Sequence, residues 1–217
     1  MPQNILKKPV YAFVDASNLF YGGEKSLGWK IDYKKLLRYL KEKYGVSRIF
    51  YYGGIETFNF EYSILDNKPM DLKKLLNHLL RCLKIPKISE ARIILIKRSI
   101  QRTKFYLNLE KYGYNLKIKP VKIYRSENGR VERKANCDVD MTFDIMRYMA
   151  QYKSLIALTG DGDFTPVFCY LKKQKREIKI LARGERTARE LKQLVGSDFR
   201  DFVRLRKELE YKNADAD

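Results

Sequence analysis

The strongest constraint on the fold is an apolar run that ends in a glycine-rich acidic turn. Residues 155–158 read Leu-Ile-Ala-Leu, and Thr159-Gly160-Asp161-Gly162-Asp163-Phe164 follows directly. Thr165-Pro166 comes next and suits the first turn of a helix, where proline is tolerated. The segment therefore predicts a buried strand that passes, through two carboxylates, into a helix.

A second strand end of this kind lies near the N-terminus. The apolar residues 11–14 are followed by Asp15, and Asn18 comes three residues later. Ligands of parallel α/β sheets gather beyond the carboxyl ends of the strands. We therefore expect Asp15 and Asp161 to lie at the same edge of one sheet.

Strand-length apolar runs alternate with amphipathic helical patterns, which is typical of an α/β protein with a mainly parallel sheet. The predicted strands are 10–14, 48–52, 116–123, 155–158 and 178–181. The predicted helices are 33–44, 71–83, 100–112, 139–151, 165–174 and 187–194. Residues 91–96 fit either a strand or the start of the next helix, because periodicity alone does not separate the two.

At 217 residues and 25.7 kDa the chain has the size of one larger domain. We predict a single domain over residues 1–207, with a helical insertion near 56–87 and a polar C-terminal tail at 208–217. No stretch approaches the roughly 20 apolar residues of a membrane span. The N-terminus also lacks a signal-peptide pattern, so a soluble cytoplasmic protein is expected.

A third acidic group opens the predicted helix 139–151. Asp138 precedes this helix, which leads into strand 155–158, so the crossover could bring Asp138 to the edge that carries Asp161. Asp140 and Asp144 are four residues apart, and like charges at that spacing cost about 0.2–0.5 kcal/mol. This indicates either a nearby cation or solvent exposure of one of the two.

The same helix carries an apolar stripe. Val139, Phe143, Met146 and Met149 fall near one face, which is therefore predicted to pack on the sheet.

Clustered carboxylates in a chain with one histidine favour a hard cation. Mg²⁺ and Mn²⁺ take oxygen ligands, and such ions activate water and stabilise the departing oxygen in phosphodiester hydrolysis. Each acid also has a structural alternative as a turn residue or helix cap, and Asp163 fits a plain cap best.

Several other chemistries are excluded. The chain has three widely spaced cysteines and one histidine, without the spacing of a zinc site, and buried reduced thiols are expected at Cys82, Cys137 and Cys169. No phosphate-binding P-loop or dinucleotide fingerprint is present. No serine or cysteine has a credible partner in His78, so a triad hydrolase is rejected.

The charge balance indicates a polyanionic partner. Forty-five Lys and Arg against 26 Asp and Glu give a net charge of +19, which attracts nucleic acid or, as the weaker option, an acidic membrane surface. Composition bias is the plain alternative. Basic residues cluster at 97–104, 117–125, 130–134, 172–176 and 183–189.

Five residues are candidates for nucleic-acid binding within or near these clusters. Lys134, Arg183, Arg186 and Arg189 could neutralise phosphates, and Tyr21 could stack on an unpaired base. The loop 183–186 follows a strand and is predicted at the edge that carries Asp161. A solvated helix face is the alternative for each cluster.

In these motifs the chain resembles the NYN domain family, the branch of PIN-like nucleases that includes the LabA/DUF88 proteins. The matching segments are 13–20, 112–114 leading to 119–121, 134–144, 159–166 and, more loosely, 197–199. The chain departs from the family pattern at Asn136-Cys137, where Gly-Val is common, and in its insertion near 56–87.

The resemblance implies a three-layer α/β/α sandwich with an acidic pocket that binds Mg²⁺ or Mn²⁺. Asp15, Asp138 and Asp161 would form the metal-binding core, and the assisting residues would be Asn18, Asp144 and Asp163. Asp140 ranks lower, because such motifs fill its position variably.

Three functions remain open at this point. The first is a metal-dependent nuclease, with RNA favoured over DNA as the substrate. The second is a non-catalytic RNA-binding or regulatory module that retains the acidic pocket. The third is an interaction protein that acts through homodimerisation, since small intracellular enzymes are often two-fold oligomers.

Overall fold

The computed structural model describes residues 9–19, 25–66, 68–125 and 131–212. Its strands are β1 (Val10–Asp15), β2 (Val46–Ile55), β3 (Asn115–Pro120), β4 (Lys122–Arg125), β5 (Val131–Lys134), β6 (Ser154–Leu158), β7 (Glu177–Ala182) and β8 (Phe199–Asp201). Its helices are α1 (Ala16–Asn18), α2 (Lys25–Leu27), α3 (Tyr33–Tyr44), α4 (Leu72–Cys82), α5 (Glu90–Tyr112), α6 (Asp138–Arg147), α7 (Thr165–Lys173), α8 (Arg189–Val195) and α9 (Arg206–Leu209).

Among the described residues, a six-stranded parallel sheet has the strand order β3-β2-β1-β6-β7-β8. Val14 of β1 pairs with Leu158 of β6, and Ala157 of β6 pairs with Ile180 of β7. Because these pairings are parallel, the three strands end at one edge, which we call the carboxyl edge. The predicted α/β class with a mainly parallel sheet is confirmed.

The chain divides into two compact units, Met1–Tyr51 with Asp138–Asp217, and Tyr52–Cys137. In the first unit, Ala12, Phe13 and Val14 are fully buried, and the Phe13 ring stacks on Phe50 with centroids 5.2 Å apart. Burying such apolar strands supplies the main driving force for folding. The single-domain assignment over 1–207 stays a prediction.

Local signals account for helix α3, which has the predicted bounds. The Asp32 carboxylate accepts hydrogen bonds from the backbone N–H groups of Lys34 and Lys35, and so caps the helix N-terminus. Gly45 ends the helix with φ of 67°, a left-handed conformation that suits glycine. Leu36 and Leu40 on its inner face are fully buried.

In the second unit, residues 91–96 belong to the long helix α5. Ser89 caps the helix by accepting from the N–H of Arg92, and no glycine or proline interrupts the chain until Gly113. The predicted strand 116–123 is two strands, β3 and β4, separated at Val121, whose N–H donates to the carbonyl of Ile55 at 2.9 Å. β4 pairs antiparallel with β5, which was not predicted.

Helix α6 corrects the predicted packing face. Val139 is 74% exposed and Phe143 61% exposed, whereas Met141, Asp144 and Ile145 are buried. With about 100° between successive residues, a helix that places Asp144 inside must turn Val139 and Phe143 outward. The prediction weighed the apolar stripe alone and was wrong, because a buried carboxylate takes the inner face.

The first part of the predicted polar tail is anchored. Asp32 N–H donates to the carbonyl of Leu209, and Tyr211 N–H donates to that of Lys30, both at 2.8 Å. Leu209 is fully buried. These contacts hold the chain in place through Tyr211.

None of the described helices is long and apolar enough to cross a membrane.

Candidate metal centre

Asp15 is a buried carboxyl group at the carboxyl edge. It is only 6% exposed, and its Oδ1 accepts hydrogen bonds from the N–H groups of Ser17 at 3.0 Å and Asn18 at 3.1 Å. Burial raises the pKa of Asp15 from 3.8 to about 6; the hydrogen bond from Asn18 opposes this shift, and the charge of Asp138 adds to it. A positive charge placed here would relieve this cost of ionisation.

Two polar side chains tie the end of β1 to the turn after β6. The Thr159 hydroxyl donates to Asp15 Oδ2 at 3.3 Å and accepts from the N–H of Asp161 at 3.2 Å. Asn18 Oδ1 accepts from the N–H of Gly160 at 2.8 Å. Thr159 and Asn18 thereby set the position of Asp161 relative to Asp15.

Removing the Thr159 hydroxyl should destabilise this junction. In Thr159→Val, Asp15 Oδ2 and the Asp161 N–H each lose a hydrogen-bond partner, and we expect the free energy of unfolding to fall by about 1–3 kcal/mol. Thr159→Ser keeps the hydroxyl and should lose less than half as much. Urea denaturation of the three proteins checks this. Equal losses in the two variants would show that the methyl group contributes as much as the hydroxyl, and would contradict a dominant role for the two hydrogen bonds.

Asp161 rather than Asp163 acts as a cap in the acidic turn. Asp161 Oδ1 accepts from the N–H of Asp163 at 3.0 Å and opens a 3-10 turn at Gly162–Phe164. α7 then begins at Thr165 without a side-chain cap. The cap predicted at Asp163 is therefore wrong, because the 3-10 turn separates Asp163 from the helix start. Asp163 is exposed.

The turn is packed against the loop that precedes α8. A Cβ atom on Gly160 would lie 2.8 Å from the Thr187 hydroxyl and 3.0 Å from the Thr187 Cα. One on Gly162 would lie 2.6 Å from a carboxylate oxygen of Glu190. The N–H of Ala188 donates to the Gly160 carbonyl at 2.9 Å. Close approach of backbone atoms requires glycine at position 160, whereas position 162 is crowded by a flexible side chain.

The two glycines should differ in their tolerance to alanine. In Gly160→Ala the methyl group meets backbone atoms, so we expect overpacking to lower the free energy of unfolding by about 1–3 kcal/mol. In Gly162→Ala it meets the end of the flexible Glu190 side chain, which can turn away, so the loss should be smaller. Thermal unfolding of the two variants decides, and a larger loss at Gly162 would contradict this packing.

The three aspartates of α6 have different surroundings. Asp138 is half-buried and its charge reaches Asp15, since it contributes to the raised pKa of that group. Asp140 is exposed. Asp144 is 4% exposed, and its carboxylate pairs with Arg147 at 2.7 Å. The spacing of Asp140 and Asp144 predicted either a nearby cation or solvent exposure of one of the two. In the structure Asp140 is exposed.

The carboxylates do not form a closed ligand cage. Within residues 9–19, 25–66, 68–125 and 131–212, no three Asp, Glu, His or Cys side chains are grouped closely enough to hold a metal ion. Asp15, Asp138 and Asp161 are therefore brought to one region, but not to ligand distance from a common point.

The candidate nucleic-acid-binding residues differ in how exposed their side chains are. The Arg183 side chain is 14% exposed and one of its guanidinium nitrogens pairs with Glu185 at 2.8 Å, so the group is largely buried within the protein. Arg186 and Arg189 are exposed beside the acidic turn: Arg186 lies on the loop whose Ala188 bonds to Gly160, and Arg189 is the first residue of α8. Tyr21 and the side chain of Lys134 lie outside the described part of the chain.

Two residues near the site were missed by sequence reasoning. Thr159 could have been identified, because it is the first polar residue after the apolar run 155–158. Glu190 had no local signal, since its contact with Gly162 arises only when α8 packs beside the turn.

The fold and the acidic strand ends define an α/β protein with a polar site at the carboxyl edge, and sequence comparison assigns the family. The NYN domain profile matches residues 55–201, more than half of the chain. The chain belongs to the NYN domain family, as its motifs predicted. The matched range contains Asp138 and Asp161 but not Asp15 or Asn18.

The chain is also similar to one relative in sequence and to two solved structures. The chain is 22% identical over 200 residues to the low amplitude and bright protein LabA of Synechococcus elongatus, covering 88% of this chain and 85% of that protein. A protein of unknown function from Vibrio parahaemolyticus has a similar fold, with a TM-score of 0.58 and 18% identity over 89% of this chain and 93% of the other. The T5 D15 protein co-crystallized with metal ions is a more distant structural match, with a TM-score of 0.44 and 14% identity over 85% of this chain and 59% of the other.

Proposed function

We propose that this protein is a metal-dependent nuclease that hydrolyses phosphodiester bonds in nucleic acid, with RNA favoured over DNA. Membership of the NYN domain family supports a nuclease-type domain, and the net charge of +19 supports a polyanionic substrate. The observation that carries the proposal is Asp15, a buried carboxyl at the carboxyl edge whose pKa is raised by burial and by Asp138.

The residues present fit Mg²⁺ or Mn²⁺. Asp15, Asp138 and Asp161 offer only oxygen donors, which is the ligand set that hard divalent cations prefer. Asp15 and Asp138 repel each other, and a cation between them would remove that repulsion. When bound, such an ion lowers the pKa of its water and stabilises the departing oxygen.

The other residues would position this group. Thr159 and Asn18 hold the acidic turn against the end of β1 through their hydrogen bonds to Asp161 and Gly160. The Asp144 carboxylate is engaged by Arg147, so its contribution would be to fix α6 and with it Asp138. Asp163 is exposed beside Asp161 and would assist metal binding from the solvent-exposed side of the site.

Arg186 and Arg189 would bind the phosphate backbone. Both are exposed, on the loop and at the start of α8 that pack against Gly160 and Gly162, and arginine forms strong bidentate bonds to phosphate. Arg183, which is paired with Glu185, would order this loop. Lys134 and Tyr21 stay predictions for phosphate and base contacts.

A second candidate function is a nucleic-acid-binding module without catalysis. It is favoured by one observation: no three carboxylates among the described residues are grouped closely enough to enclose an ion. Such a module would still use the basic loop beside the acidic turn.

Cleavage of end-labelled single-stranded RNA and DNA decides between the two functions. Purified protein is incubated with each substrate in Mn²⁺, in Mg²⁺ or in EDTA, and the products are resolved on a denaturing gel. A nuclease of the proposed kind cuts RNA faster than DNA, and only with a divalent cation present.

Binding without cleavage under every condition would establish the second candidate. Cleavage that persists in EDTA would contradict the role given to the metal. DNA cut as fast as RNA would leave the nuclease standing and remove the preference for RNA.

A further inference from the structure

Helix α6 presents a stripe of exposed side chains on its outer face. Val139, Phe143 and Arg147 are spaced four residues apart and share one helix face. Val139 is 74% exposed and Phe143 61% exposed. The opposite face, with Met141 and Ile145, is buried. Single exposed apolar residues are ordinary on protein surfaces, so exposure alone assigns no role to Phe143, and its role depends on the cation beside its ring.

The Arg147 guanidinium, which is the cationic group of this stripe, is held in place by neighbouring side chains. Arg147 bonds to the Asp144 carboxylate at 2.7 Å and to the Tyr148 hydroxyl at 2.6 Å. Its guanidinium lies 5.3 Å from the Phe143 ring centroid and 4.6 Å from that of Tyr148. A guanidinium held near an open ring forms a rigid, flat surface, although Asp144 offsets the charge of Arg147.

The position of the stripe relates it to the candidate metal centre. Phe143 lies five residues after Asp138 on the same helix, about 7.5 Å along the axis. Five residues also rotate the helix by about 140° net, so Phe143 faces away from Asp138. A strand with a phosphate near Asp138 would therefore have to continue around α6 to bring a base to Phe143.

We propose that Phe143 and Arg147 form a stacking platform for an unpaired base of single-stranded nucleic acid. Aromatic side chains stack on bases of any sequence, and arginine adds a cation–π contribution. The proposal rests on the proposed function for the class of ligand, and it adds the residue that holds the base. The platform binds substrate and takes no part in bond cleavage.

A second copy of the chain fits this stripe less well. Specific protein interfaces bury about 800 Å² on each partner, which two exposed apolar residues and one arginine do not supply. Two chains that each carry a charge of +19 also repel one another. Flat bases match the exposed ring, and a polyanion matches the net charge of +19 of the whole chain.

Fluorescence anisotropy with a labelled single-stranded RNA, in EDTA, measures the platform without cleavage. Phe143→Ala should weaken binding about 5- to 100-fold, which is the usual effect of removing one stacking ring. Phe143→Tyr and Phe143→Trp keep a ring and should bind within about 3-fold of wild type. Phe143→Leu keeps an apolar side chain without a ring and should bind like Phe143→Ala.

Tyr170→Ala is the matched control. Tyr170 is a 43% exposed aromatic residue on α7, outside the platform, and its removal should leave binding unchanged. An RNA with abasic sites in place of its bases should bind wild type and Phe143→Ala alike, because there is then nothing to stack.

Three results would overturn the platform. They are equal RNA binding by wild type and Phe143→Ala, wild-type binding by Phe143→Leu, or sedimentation in which wild type dimerises and Phe143→Ala does not. Each is independent of catalysis. A wild type that cuts RNA while Phe143→Ala binds normally refutes the platform alone, and loss of binding in Phe143→Ala with no cleavage by wild type refutes the nuclease alone.

Discussion

Asp161→Asn is expected to lower the rate of RNA cleavage by about 10³-fold or more while RNA binding stays within about 3-fold of wild type. A metal ion that acts as a Lewis acid contributes several kcal/mol to the transition state, and each 1.36 kcal/mol is a factor of ten in rate. Asparagine still offers an Oδ1 to the N–H of Asp163, so the acidic turn should keep its conformation. Single-turnover cleavage and anisotropy on the same preparation separate the two effects.

Asp140→Asn is the matched control for this charge change. Asp140 is an exposed aspartate of α6 with no assigned role in holding the metal, so its variant should cut within about 3-fold of wild type. Unchanged turnover by a clean preparation of Asp161→Asn would contradict the assignment of Asp161 as a metal ligand. Equal loss of activity in both variants would point to net charge instead.

Asp15→Asn is expected to stabilise the metal-free protein at neutral pH, although it should destroy metal binding. The pKa of Asp15 is raised from 3.8 to about 6, mainly by burial. A shift of this size corresponds to about 3 kcal/mol of unfavourable ionisation in the folded state. Asparagine has no charge to bury, and its Oδ1 can still accept from the N–H groups of Ser17 and Asn18. Its Nδ2 cannot accept from the Thr159 hydroxyl but can donate to it, so this contact is kept with the direction reversed.

The pH dependence follows from the direction of that shift. The folded protein binds the Asp15 proton more tightly than the unfolded chain does. In EDTA, the contribution of Asp15 to the free energy of unfolding therefore falls as pH rises from about 4 to 6. Below pH 4 the group is protonated in both states, and the cost disappears. The gain in Asp15→Asn should therefore be small at pH 4 and full above pH 6, as measured by urea denaturation in EDTA across this range.

Adding Mn²⁺ should reverse the order of stability. A ligand that binds only the folded state stabilises it by about 4.1 kcal/mol at a thousand times its Kd. At that concentration the gain of wild type exceeds the cost of about 3 kcal/mol for ionising Asp15, and Asp15→Asn should not gain it. Because protons compete for the same carboxyl group, the gain should be smaller at pH 5 than at pH 7.5. An Asp15→Asn variant that is less stable than wild type in EDTA at pH 7.5 would contradict the buried charge.

The sequence was most informative where local chemistry decides structure. The apolar runs before Asp15 and Thr159 predicted β1 and β6 within one residue, because a parallel strand buried on both faces is apolar throughout. The bounds of α3 were also predicted, since Asp32 and Gly45 are strong end signals.

The sequence was least informative where burial at long range decides. The outward turn of Phe143 depends on placing Asp144 inside, and nothing within α6 indicates which of the two is buried. The edge strand β8 has only three residues, too few for a periodic pattern. The contact between Glu190 and Gly162 requires the packed position of α8. Such contacts join residues far apart in the chain, and no local pattern encodes them.

The most direct test is to locate Mn²⁺ by anomalous scattering in crystals of the wild-type protein soaked in millimolar MnCl₂. A metal-dependent nuclease of the proposed kind requires an anomalous peak at the carboxyl edge, bonded to oxygen atoms of Asp15 together with Asp138 or Asp161. The absence of a peak there, with the three carboxylates remaining apart, would contradict the metal centre and favour a nucleic-acid-binding protein without catalysis.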